Sequence, residues 1–92
     1  MNDPSLEIVR FALALHLEVV PEVIAVDDRL NEDLGLDPLD LVLVVLRLEE
    51  LAEAEFPVAD LEHASTVADL VALVTRWATA TVRTHDVIAH AV

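Results

Sequence analysis

The chain contains no cysteine, no lysine and no tyrosine, a single glycine, and three aromatic residues, Phe11, Phe56 and Trp77. Each scarcity closes off some chemistry. Without cysteine there is no disulfide, thiolate nucleophile or cysteine-ligated zinc, and the redox compartment is left open. With Gly35 as the sole glycine, no glycine-rich phosphate loop can form. Because lysine is missing, only five arginines oppose eighteen acidic residues, for a formal net charge of −13. Such a charge repels phosphate backbones and anionic lipid, which argues against nucleic-acid and membrane-surface roles and favours basic protein surfaces as partners. The sequence shows neither a basic leader followed by an apolar stretch nor an uncharged apolar run of spanning length, so a soluble, cytoplasmic protein without a membrane span is expected.

Catalytic signals are equally sparse. No Ser/His/Asp constellation can be assembled, so no catalytic residue is assigned and the chain is not expected to be an enzyme. His16 and His63 are isolated and carry little signal. Asp86 and His90, four residues apart, could share a helical face, but that segment offers too few ligands for a metal, and none is assigned.

What is present is aliphatic. Ninety-two residues, 55% of them hydrophobic, make one small helical domain with an aliphatic core. A first helix is predicted over residues 4–19, capped by Asp3 and opened by Pro4. Leu6, Val9, Leu13 and Leu17 form one stripe on it, and Ile8, Phe11, Leu15 and Val19 a second. Pro21 marks its exit. A long connection over 20–36 follows, pinned by Val23, Ile24, Leu30, Leu34 and Leu36. The second helix should run from Pro38 to about Glu53. Asp37 is its N-cap, Pro38 suits the first helical position, and the charge of Asp40 favours the positive end of the helix dipole. A brief third helix is expected around 59–62. A fourth starts at Val67, where Thr66 and Asp69 form a capping box; Leu70, Val71, Val74 and Ala78 share one of its faces and Trp77 lies near its end. Residues 1–80 are read as the bundle and residues 81–92 as a C-terminal extension, helical or frayed.

The segment Glu32-Asp33-Leu34-Gly35-Leu36-Asp37-Pro38-Leu39-Asp40 resembles the signature of the acyl carrier protein family, in which an Asp-Ser-Leu triplet opens a helix after a Leu-Gly turn. The Leu48-Glu49-Glu50 step, the aromatic-proline pair at 56–57 and the Thr-Val opening of the last helix fall in that family's order, so the likeness covers roughly residues 5–78. It implies an all-α, carrier-type bundle of three long helices and one short helix, with a long loop between helices 1 and 2.

In that family the serine of the triplet carries phosphopantetheine, whose thiol holds an acyl group, and acids on the second helix dock on basic patches of synthases and transferases. Carried over by position, the attachment site is Pro38, which has no hydroxyl. Phosphopantetheine is therefore expected to be absent. The docking residues become Asp37, Leu39, Asp40, Val42, Leu43, Leu46, Glu49 and Glu50. Leu43 stands where the family usually has an acid, which leaves the second helix apolar nearly all round and suggests a permanent partner or self-association through this helix. Ala52 stands where a bulky aromatic is common, so a slight rotation bringing Leu51 inward is expected. Ser5 and Ser65 lie outside any Asp-Ser-Leu context and read as helix-start residues.

The leading expectation is thus a carrier-like module without a prosthetic group, interacting with or regulating fatty-acid or polyketide-type biosynthetic enzymes. Two alternatives stand beside it. One is an ordinary acyl carrier whose serine is changed at this position; the other is a bundle that holds an apolar lipid noncovalently.

Overall fold

A computed structural model describes residues 3–77. Its order is α1 (Pro4–Leu17), a short 3-10 turn (Pro21–Val23), α2 (Pro38–Ala52) and α3 (Val58–Glu62), followed by α4, described over residues 67–77. This is the all-α bundle that the sequence predicts, with its long first loop. The expected extension over 81–92, with Asp86 and His90, lies outside the described residues.

Helix starts follow their capping residues. Asp3 accepts the Ser5 amide at 3.0 Å with Pro4 in the first turn of α1. Asp69 and Thr66 cap α4 reciprocally: Asp69 Oδ2 accepts the Ser65 and Thr66 amides at 2.7 and 3.0 Å, and the Asp69 amide donates to Thr66 Oγ1 at 3.3 Å. These bonds satisfy first-turn donors that have no partner within a helix.

Helix ends are less legible. α1 stops at Leu17, two residues before the expected end, because Glu18 takes a left-handed conformation (φ 58°) and its amide returns to the Ala14 carbonyl. Val20, forced towards extended geometry by Pro21, has ψ 144°. Glu53 ends α2 in the same way, at φ 52° with its amide on Glu49 O. A glutamate in this conformation costs about 1 kcal/mol, offset by the carbonyls it satisfies.

The core is aliphatic apart from Phe56. Val9 and Leu13 from α1, Val44 and Leu48 from α2, and Val67, Leu70 and Val74 from α4 are essentially inaccessible. Ile24, Leu30 and Leu36 pin the long connection into it, whereas Val23 is exposed. The same connection is stitched to α4. Leu30 N–H donates to Ser65 O at 2.9 Å, while the Val67 and Ala68 amides donate to Asp28 O and Val26 O at 3.0 and 2.8 Å. Arg10 reaches across from α1, its Nε donating to Ile24 O at 2.8 Å.

Two expectations about helix faces change. α2 is not rotated towards Leu51: Ala52 is buried at 8% exposure and Leu51 is exposed at 38%. Of the second stripe on α1, Phe11, Leu15 and Val19 face solvent.

Candidate functional site: the leading turn of α2

Gly35 prepares this turn. Its φ of +69° lies in the left-handed region, which glycine enters without the penalty other residues meet. Its amide donates to Asn31 O at 3.0 Å, and the Asn31 side chain donates to Leu36 O at 2.9 Å. The chain then arrives at Asp37 extended (φ −87°, ψ 175°). Asp37 Oδ1 accepts the Asp40 amide at 2.8 Å, and Asp40 Oδ2 accepts the Asp37 amide at 3.1 Å. The result is a full reciprocal capping box, more than the dipole complement expected of Asp40.

Pro38 occupies the first helical position, where a missing N–H costs no hydrogen bond. Pro38 and Leu39 are both exposed, Leu39 at 67%. The Asp37 amide, and after it the His16 side chain, hold the Asp40 carboxyl below its ordinary range. His16 Nε2 on α1 stands 2.9 Å from Asp40 Oδ1. In the sequence this histidine reads as isolated; its position in the last turn of a helix, where cations are favoured, is the available signal.

The structure gathers Asp37, Pro38, Leu39 and Asp40 at one tip. Val42, Leu43 and Leu46 continue along the exposed length of α2. Glu49 and Glu50 lie further on, about 16 Å from Pro38 along the helix axis. Glu49 is half-buried and its Oε2 accepts the Phe56 amide at 2.9 Å, so it also holds the start of the α2–α3 connection. Glu50 is exposed, 4.0 Å from Arg47.

Two grooves border the tip, neither foreseen from the sequence. An apolar one of about 410 Å³ runs between α2 and α3, lined by residues including Pro38, Val42, Leu46, Phe56, Val58 and Leu61. The other, about 340 Å³, lies between Pro38 and the start of α4, with Arg29 and Ser65 in its wall. Among the described residues no group of three or more His, Asp or Glu could hold a metal ion.

A helical bundle whose long first loop delivers a capped, acidic, solvent-facing helix is the architecture of a carrier-type domain. Comparison with known proteins makes the class specific. The family model described as phosphopantetheine attachment site matches residues 7–74. The chain is 40% identical over 63 residues to the acyl carrier protein of Campylobacter curvus, covering 68% of this chain and 82% of that one. It is 39% identical over 70 residues to that of Caulobacter vibrioides, covering 76% and 90%. A third relative, the acyl carrier protein of Wolinella succinogenes, is 42% identical over 55 residues, covering 60% and 72%. The chain belongs to the acyl carrier protein family.

This membership corrects one expectation. Pro38 alone is the ground on which the sequence argues against phosphopantetheine. The matched family is that of the phosphopantetheine attachment site and the relatives are acyl carrier proteins, so phosphopantetheine is the prosthetic group to which the family points. The residue that would bear it is not visible at the tip. Pro38 has no side-chain oxygen, and the described hydroxyls are Ser5, Ser65, Thr66 and Thr75. The tip therefore does not by itself fit covalent attachment.

Proposed function

We propose that the chain is an acyl carrier protein of the ordinary kind in its recognition surface, with Pro38 at the position of the family's attachment serine. The observation that carries this reading is the intact turn around Pro38. The Gly35 turn, the Asp37–Asp40 capping box and the exposed Leu39 keep a helix start at which a serine hydroxyl would stand free. Proline at the first helical position removes the nucleophile and leaves the scaffold unchanged. All three relatives described above are named as carriers, which favours this reading over a regulatory module that works without a prosthetic group.

The partners in this reading are cytoplasmic fatty-acid or polyketide-type biosynthetic enzymes with a basic docking patch. Asp37, Asp40, Glu49 and Glu50 supply the charge, and Leu39, Val42, Leu43 and Leu46 the apolar contact. A net charge of −13 steers encounter with such a patch and disfavours two copies of this chain pairing through α2 unless apolar burial outweighs the repulsion. Among the described residues no helix is long and apolar enough to cross a membrane.

The test is incubation of the natural chain and Pro38→Ser with coenzyme A and a broad-specificity phosphopantetheinyl transferase, followed by intact mass and peptide mapping. Pro38→Ser is expected to gain the phosphopantetheine mass on the peptide containing residue 38. A variant that folds but stays unmodified, while a standard carrier in the same tube is loaded, overturns the proposal. The natural chain mapped in parallel reports any hydroxyl that is used elsewhere.

A second reading has its own observation. The apolar groove between α2 and α3 suits an aliphatic chain held without a covalent bond. Native mass spectrometry of the freshly purified protein tests it: a bound lipid supports this reading, and a clean protein mass under gentle conditions removes it.

A further inference from the structure

Both carboxylate oxygens of Asp40 are engaged, and they point to different helices. Oδ2 accepts the Asp37 amide at 3.1 Å and closes the capping box within α2. Oδ1 stands 2.9 Å from His16 Nε2 on α1. Asp37 in turn accepts the Asp40 amide at 2.8 Å. A continuous polar chain therefore runs from His16 through Asp40 to Asp37, and its last two members bracket Pro38. The His16 and Asp40 side chains are partly shielded, at 25% and 34% exposure.

The contacts of α1 with α2 are otherwise dominated by aliphatic side chains such as Val9, Leu13, Val44 and Leu48. Apolar packing is non-directional and fixes separation better than axial rotation. A hydrogen bond fixes direction as well. The charged groups around His16 allow one assignment. Glu18 from α1, and Arg47 and Glu50 from α2, line the same groove as His16. Arg47 is paired with Glu50 at 4.0 Å. Asp40 is the group in direct contact with the imidazole.

We propose that His16 is a positioning residue for the recognition tip: acting through Asp40, it sets the direction in which the Asp37–Asp40 turn presents position 38 to a partner enzyme. The neutral imidazole with its proton on Nε2 donates to Asp40, and the imidazolium adds charge to the same bond. The tip is thereby tied to a residue on another helix. The inference rests on the tip being the recognition site, and its test separates the two.

The experiment compares the natural chain with His16→Ala and His16→Gln; the glutamine amide can replace the Nε2 donor. Amide hydrogen exchange at Asp37, Asp40 and Leu41, the bonded amides of the tip, should quicken in His16→Ala by about threefold and recover in His16→Gln. With Pro38→Ser added to each, transferase loading should show a raised KM with little change in kcat for His16→Ala, restored by His16→Gln. Exchange at residues 37, 40 and 41 that rises only in step with global unfolding, or a KM that His16→Gln does not restore, would overturn the proposal. If Pro38→Ser is not loaded at all, the carrier reading fails, while the exchange measurement still decides the role of His16.

Discussion

The indole N–H of Trp77 on α4 donates to Asp60 Oδ2 on α3 at 2.9 Å. With five residues, α3 is far too short to hold its shape alone. This bond and the packing of Leu61 against the core tie it to the last helix. Trp77→Phe and Asp60→Ala should each lower unfolding free energy by about 1 kcal/mol. The double variant should cost less than the sum of the two, as expected for partners in one interaction. Denaturant unfolding followed by circular dichroism checks this; strict additivity would mean that the bond contributes nothing in solution.

Asp69 supplies an acid-sensitive clamp at the other end of α4. The Ser65 amide chiefly, with Thr66, holds its carboxyl below the ordinary range. A folded-state pKa depressed in this way adds stability that is present above the unfolded value and lost as pH falls through the folded one. Asp69→Ala should therefore cost about 1 kcal/mol at pH 7. The gap from the natural chain should narrow steadily below about pH 4. Parallel urea titrations at pH 7, 5, 4 and 3 measure it, and a pH-independent gap would show that the capping bonds do not favour the charged form.

The two neighbours Leu51 and Ala52 should respond in opposite ways to the same change. Leu51→Gln alters an exposed position and should shift stability by less than about 1 kcal/mol. Ala52→Gln forces a larger polar group into a closed site and should cost about 2 kcal/mol or more. Thermal unfolding of the pair decides which residue faces the core; a larger loss for Leu51→Gln than for Ala52→Gln would place the helix in the rotated setting that the sequence suggests.

That pair shows where sequence reading reaches its limit. The starts of the helices were legible because their signals are local: Asp3 with Pro4, Asp37 with Pro38, and Thr66 with Asp69 each lie within one turn of the amides they cap. The end of α1 was not, because Glu18 adopts a backbone conformation that glycine usually takes, whereas α2 closes at Ala52, next to its expected end at about Glu53. The rotation of α2 depends on Val44, Val45 and Leu48 all finding core positions at once, which composition at residues 51 and 52 alone does not specify. Of the tip, Asp37, Pro38 and Asp40 are legible in local capping chemistry, and Leu39 only through the resemblance to the carrier family. His16 was missed because its partner lies 24 residues away, and no periodicity links a residue on one helix to the first turn of the next.

The bonds from Val26, Asp28 and Leu30 to residues 65–68 tie early chain to late chain. The segment between the first two long helices has only a 3-10 turn and local turns of its own, and the opening turn of α4 borrows acceptors from it. Neither can melt without stranding polar groups of the other. The approach to the tip is therefore as firm as the bundle's closing helix, and the two should order as one cooperative unit.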